Sequence, residues 1–414
     1  MNPSPASVGR LRSIAETRGR FPALSSEWAF FDHAGGSPPS DFAIQRVARY
    51  MSEVPFQHGA SYESSREAVE RLEVGRSAAA RLMNARPSEV ALGPSSTVLA
   101  ARLARALGPT FAEGDEIIVT NLDHEANIAP WRRLEERGLR VREWRFRDAD
   151  QALHPEDLDE LLTERTRLVA CTHCSNLIGT VHDIAEIARR THEAGALLCV
   201  DGVAFAPHRR IDVRALGADF YFFSTYKTYG PHAGALFVRE DHLSRLASQG
   251  FSFQPAGTVK TLEPGSVSHE LAAGLAGITD YLDWLAGSDG GDGDGAEDLE
   301  RAWQIITERE REVLRPLLTL LATHPRVRLY GLCDPDDSNR VPTVSFTVNG
   351  MLSSSVPGAL DEKKLALRFG SFYARRAVEA LGLDPDQGVV RASLLHLNSD
   401  EEVARLVEAL DQLL

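Results

Sequence analysis

The stretch Asp219–Val238, DFYFFSTYKTYGPHAGALFV, sets a single lysine between two apolar runs. A run such as DFYFF (219–223), bounded by turn residues and without polar alternation, reads as a strand buried on both faces of a parallel sheet. GALFV (234–238) reads as a second strand, with Tyr229-Gly230-Pro231 as the turn between them. Lys227 is therefore expected where a strand end opens onto a loop.

Outward from this stretch, between about Glu89 and Glu240, short apolar runs alternate with amphipathic stretches, the pattern of βαβ units. The runs are EIIVT (116–120), RLVACTH (167–173) and LLCVD (197–201), together with the two above. HPEDLDELLTER and HDIAEIARRTHEAG are the helical patterns among them. Right-handed crossovers place the strand C-terminal ends on one edge, where an open α/β sheet binds its ligands. The acidic, Gly-rich stretch GSDGGDGDGAE can form no packed core and reads as a flexible connection at 287–297. A long helix (LERAWQIITEREREVLRPLL) follows, then strands VRLYG and TVSFTV, then two helical stretches around VVRASLLHL. The expected fold class is α/β: a large domain with a mainly parallel sheet (22–286) and a smaller α+β C-terminal domain (298–414, with 1–21).

A chain of 414 residues that is 43% hydrophobic can bury a large core, and its formal charge of −14 argues against nucleic acid as a partner. No stretch is long and uncharged enough to span a bilayer, and MNPSPASVGRLRSIAE lacks the apolar core of a signal peptide, so a cytoplasmic location is expected. Cys171 and Cys174 form a CxxC inside an apolar run, with no second pair to complete a metal set, so no metal is expected and the thiols read as structural.

The aspartate ending LLCVD, Asp201, precedes Lys227 by 26 positions and should emerge on the same sheet edge. An acid and an amine facing one cleft suit pyridoxal 5'-phosphate, whose aldehyde takes a lysine as a Schiff base and whose pyridine nitrogen takes an acidic partner. In ALGPSSTVLAARLARAL, Ser95 and Ser96 open an amphipathic helix whose N–H groups favour an anion, and Ser224 could add a hydroxyl. His124, after EIIVT, could lay its ring over a flat cofactor or shuttle protons. Asn176, after RLVACTH, could hydrogen-bond a ring substituent.

From about Phe30 to Leu413 the chain resembles the class V aminotransferase and cysteine desulfurase group of fold type I pyridoxal phosphate enzymes. The strings that carry the resemblance are DHEANIAPW, RTRLVACTHCSNLIGT, the long segment GALLCVDGVAF to GALFV, and VVRASLLHLNSDEEVARLV. The resemblance implies that Lys227 forms the internal aldimine, Asp201 pairs with the pyridine nitrogen and His124 stacks on the ring. It further implies that Asn176 faces the phenolic oxygen, that Ser95, Ser96 and Ser224 hold the phosphate, and that Arg391 clamps the substrate carboxylate, with Tyr373 and His33 at the substrate. A homodimer is implied too, in which Ser266, within GTVKTLEPGSVSHE, reaches the partner's phosphate.

Three positions depart from the desulfurases. Ala204 stands where they carry Gln, Tyr226 where they usually have His, and Tyr373, in RFGSFYARR, takes the place of the persulfide-forming cysteine. A phenol, with a pKa near 10, is a poor substitute for a thiolate nucleophile. The expectation is thus a pyridoxal phosphate enzyme that cleaves a C–S or similar β-substituent bond of a small amino acid without a protein persulfide. A class V aminotransferase or a decarboxylating enzyme is the alternative, and a non-catalytic binding subunit a remote one.

Overall fold

The computed structural model describes residues 12–288 and 295–414. Among the described residues the strands are β1 (Ala29–Phe30), β2 (Val90–Gly93), β3 (Glu116–Thr120), β4 (Arg140–Trp144), β5 (Thr166–Thr172), β6 (Leu197–Asp201), β7 (Phe220–Ser224) and β8 (Gly234–Val238), followed by β9 (Val327–Tyr330), β10 (Thr343–Val348), β11 (Leu365–Ala366), β12 (Arg368–Gly370) and β13 (Val389–Ser393). Seven of them form one sheet in the order β2-β8-β7-β6-β5-β3-β4. Its pairs from β7 to β4 are parallel, whereas β8 runs antiparallel to both β7 and β2.

The quoted runs are apolar without alternation because both faces of this sheet are covered. Phe220 and Phe222 of β7 pack into a cluster with Leu99, Leu103, Ile117 and Val119. Their neighbours Tyr221 and Phe223 point the opposite way, into a second cluster with Ile118, Val169, Leu198 and Val200. This is the period-two alternation of a strand with a core on each side. A smaller sheet, β12-β13-β10-β9, packs around Val344, Phe346, Val390 and Ala392 against the helix Gly295–Thr323.

Several elements differ from the sequence reading. GALFV is a strand but antiparallel, since the short turn after Lys227 returns the chain as a hairpin rather than a crossover. HPEDLDELLTER holds only the 3-10 turn Pro155–Leu158, because Thr163 and Thr166 close a turn (Thr163 N–H to Thr166 Oγ1, 2.9 Å) that feeds the chain straight into β5. VVRAS is itself β13, flanked by the helices Arg375–Ala380 and Asp400–Leu413. Of the connection expected at 287–297, residues 289–294 lie outside the described residues, as do 1–11 of the N-terminal segment. Gly287 ends the helix Ala276–Ala286 with a left-handed φ of 88°, and the next helix begins at Gly295. No helix among the described residues is long and apolar enough to cross a membrane, and none of their His, Cys, Asp and Glu side chains cluster as a metal site.

Candidate active site

The lysine's position is fixed by the turn that follows β7. Thr225 donates its hydroxyl to the Pro231 carbonyl (2.6 Å) and its N–H to that of Ala233 (3.0 Å), tying the start of the turn to its end. Tyr229 completes it with a left-handed φ of 62°, anchored by its hydroxyl on the Pro207 carbonyl. Between them the single 3-10 turn Thr225–Lys227 carries the lysine into the interior, where it is 8% exposed. Burial first, then the Arg391 guanidinium, lowers the amine to about 8, against the pull of Asp201 and Asp32.

Lys227, Asp201, His124, Asn176, Tyr226 and Ala204 line one cavity at the C-terminal edge of the large sheet. Asp201, the last residue of β6, accepts the Val203 N–H on Oδ1 (2.9 Å), and burial pushes its carboxyl up to about 6. His124 accepts the Ala126 N–H on Nδ1 (3.0 Å), which leaves its ring hydrogen on Nε2. Burial, with Lys227 and Arg391 adding to it, lowers that imidazole to about 4, so the ring is neutral near pH 7. Asn176 donates from Nδ2 to the Phe372 carbonyl (2.9 Å), while its Oδ1 is buried without a partner. Tyr226 stacks on His232 at a centroid distance of 4.6 Å.

One side of this group is a serine-rich helix start. Ser95 caps the helix Ser96–Leu107 by accepting the Val98 N–H (3.2 Å), and the Ser96 and Ser224 hydroxyls lie 2.6 Å apart. Gly234, beside Ser224 in the register, permits this approach, since a Cβ there would stand 2.4 Å from the Ser96 nitrogen.

Arg391, in β13, is buried with its guanidinium bonded to the Asn176 carbonyl (3.0 Å) and Asp32 Oδ1 (2.9 Å), and it lies 3.7 Å from the Phe372 ring centroid. Burial lowers it to about 10, and its Nε has no partner. Tyr373 is 71% exposed; its ring tilts against His124 at 5.1 Å, and its carbonyl accepts the Glu125 N–H (2.8 Å). Phe372 and Tyr373 both hold positive φ (51° and 61°), an unusual pair for residues with side chains. His33 is buried beside Asp32 and, lowered by burial to about 4, is neutral; it lines a neighbouring cavity with Phe30 and Arg368. Ser266 is not brought to Lys227: it is exposed and borders a separate cleft with Gly93, Pro94 and His232.

Sequence reasoning missed Asp32, Arg368 and Phe372. Asp32 accepts from both Arg391 and Arg368 (Nη1 to Oδ2, 3.2 Å). Its position inside FDHAGG, a carboxylate just before a glycine pair, was the available signal.

The architecture is that of the fold type I pyridoxal phosphate enzymes. It superposes on the apo structure of a cysteine desulfurase from Thermococcus onnurineus NA1 with a TM-score of 0.86 at 24% identity, covering 98% of this chain and 99% of that one. With the cysteine desulfurase CsdA (S-sulfonic acid) from Escherichia coli the TM-score is 0.83 at 27% identity, covering 97% and 98%. The family described as aminotransferase class-V matches residues 29–406, and the chain belongs to that family, with cysteine desulfurase-like relatives. The aminotransferase-like protein FGM3 of Gibberella zeae is 41% identical over 97% of this chain and 98% of its own length. The cysteine desulfurase-like protein ustD of Aspergillus flavus is 32% identical over 97% and 90%. The family's cofactor is pyridoxal 5'-phosphate, and the residues here fit it: a buried amine and carboxylate face one cavity, and two hydroxyls meet at a helix start.

Proposed function

We propose that this enzyme cleaves a C–S or similar β-substituent bond of a small amino acid by elimination, without a protein persulfide. The observation that carries the reading is the loop at 370–374, which presents Tyr373 and no sulfur. Of the thiols, Cys174 borders the Lys227 cavity, but burial holds it, Cys171 and Cys199 protonated, and a protonated thiol is a poor nucleophile.

When bound, pyridoxal phosphate withdraws electrons from the amino acid's α-carbon. In this reading Lys227 holds the cofactor and then, with its amine near 8, takes the α-proton close to neutral pH. With the cofactor bound, Asp201 would pair with the pyridine nitrogen, neutral His124 would cover the ring, and the second amide hydrogen of Asn176 would serve the phenolic oxygen. Ser95, Ser96 and Ser224 hold the phosphate. Arg391 receives the substrate carboxylate, with Tyr373 and His33 bordering the substrate. The β-substituent leaves with its bonding electrons, so a cysteine conjugate yields a free thiol, and hydrolysis of the remainder yields pyruvate and ammonia.

Incubating the enzyme with amino acids and cysteine conjugates and analysing the products by mass spectrometry tests this. Pyruvate and ammonia in equal amounts are expected, with no persulfide on any of the four cysteines. A keto acid appearing with pyridoxamine phosphate would assign transamination instead, and carbon dioxide release a decarboxylation. Arg391→Lys is expected to raise KM for the amino acid by roughly 10- to 100-fold, since an ammonium cannot make the paired hydrogen bonds of a guanidinium; saturation kinetics measure this.

The same reading includes a cytoplasmic homodimer in which Ser266 serves the partner's phosphate, supported by its exposure and its separation from its own chain's Lys227 cavity. It also divides the chain into 22–286, 287–297 and 298–414 with 1–21. The two larger sheets support that division, although β1 pairs with β11 across it.

A further inference from the structure

Strands β12 and β13 pair with Arg368 directly opposite Arg391, which sets two guanidinium side chains on one face of the small sheet. Like charges in that position repel. One carboxylate lies between them: Asp32 accepts from Arg391 Nη2 on Oδ1 (2.9 Å) and from Arg368 Nη1 on Oδ2 (3.2 Å). Main-chain bonds set its place. Ser393 donates its N–H to the Phe31 carbonyl (2.7 Å), and its own carbonyl and hydroxyl accept the N–H groups of His33 (3.4 Å) and Ala34 (2.8 Å). Ser393 stands two residues beyond Arg391 on β13, so the segment 31–34 is held alongside the arginine. Gly35 permits the close packing, since a Cβ there would stand 2.9 Å from Asp32 Oδ2 and 3.2 Å from Arg368 Nη1.

The two arginines are not equivalent, for the Arg391 side chain is 2% exposed and that of Arg368 54%. Three contacts fix the Arg391 guanidinium: Asp32 at Nη2, the Asn176 carbonyl at Nη1 (3.0 Å) and the Phe372 ring against its carbon (3.7 Å). Its Nε is left without a partner. A carboxylate binds a guanidinium through two parallel N–H groups, so the orientation of the guanidinium decides whether that pairing is available. We propose that Asp32 is the positioning residue for Arg391: it stands between the like-charged pair and holds the buried guanidinium with its Nε side free for the substrate carboxylate. The inference rests on the reading of Arg391 as the receiver of that carboxylate. An amide at position 32 could accept from one guanidinium, but its own N–H groups would then face the other, with no negative charge between them. Arg391 would be a buried cation beside a second cation, and would turn.

The test compares the affinities of the cofactor-loaded protein for L-alanine and for ethylamine, the same molecule without its carboxylate, by titration of visible absorbance. The wild-type protein should prefer alanine. In Asp32→Asn that preference should fall at least about tenfold, with ethylamine binding little changed, because only the carboxylate uses the guanidinium. A merely loosened site would weaken both ligands alike, so a ratio that is unmoved or raised in the folded variant would overturn the proposal. Arg391→Gln separates the proposal from the reading beneath it. If Arg391→Gln keeps the wild-type preference, or the wild-type protein has none, the reading of Arg391 fails and the proposal with it. If Arg391→Gln loses the preference and Asp32→Asn retains it, only the positioning role fails. Should Asp32→Asn not fold, Arg368→Gln compared with Arg368→Gln/Asp32→Ser decides, since neither holds the like-charged pair and a serine hydroxyl is too short to reach Arg391. The preference should fall from the first to the second, and equal preferences would overturn the proposal.

Discussion

Lys227→Ala is expected to lower turnover by at least about 10³-fold, some 4 kcal/mol of lost transition-state stabilisation, while leaving the fold intact. The loss is large because one amine serves twice in the proposed mechanism, as the cofactor's attachment point and as the base at the α-carbon. The fold should survive because the turn is held by other groups: Thr225 on Pro231 and Ala233, and Tyr229 on Pro207. Removing a buried amine also removes a desolvated positive charge, which is not a stabilising feature in itself. Circular dichroism and single-turnover kinetics separate the two effects. Uptake of pyridoxal phosphate by the wild-type apoprotein gives a matching pH signature. The attacking form is the neutral amine; with the group lowered to about 8, the uptake rate should rise with pH up to about 8 and level off above it. An amine at its ordinary value of 10.5 would still be gaining rate at pH 10.

Asp201→Asn is expected to reduce turnover by about 10²- to 10³-fold, equivalent to roughly 3–4 kcal/mol. The amide keeps the shape and can still accept the Val203 N–H, so the strand end should be preserved. In the proposed pairing it cannot carry the negative charge that would keep the cofactor's pyridine nitrogen protonated, and so would weaken the withdrawal of electrons from the α-carbon. Because the site is buried, water does not compensate for the missing charge. The effect should fall on kcat more than on KM, since the substrate carboxylate is assigned to Arg391. Steady-state kinetics at saturating cofactor measure it, and a loss smaller than tenfold would contradict the pairing of Asp201 with the ring.

The strands that hold these residues were legible in the sequence because each is buried on both faces and bounded by turn residues. EIIVT and LLCVD are β3 and β6 residue for residue, and DFYFF differs from β7 by a shift of one. β4 was not legible: RVREW carries three charged residues without regular alternation, at the sheet's edge, where one side of the ladder is unpaired. The direction of β8 escaped because an apolar run carries no sign of its orientation. In the site, Lys227, Asp201, His124 and Asn176 could be placed because each ends or follows a recognisable strand. Asp32 and Phe372 could not, since their roles come from contacts with Arg391 that depend on the packing of the small sheet against the large one.

Borohydride reduction of the cofactor-loaded protein, followed by peptide mapping, tests the Lys227-centred site most directly. The expected result is a yellow protein whose colour is lost on reduction and whose pyridoxyl label is fixed to the peptide containing Lys227. A label on any other lysine, or a natively purified protein that carries and takes up no pyridoxal phosphate, would contradict it.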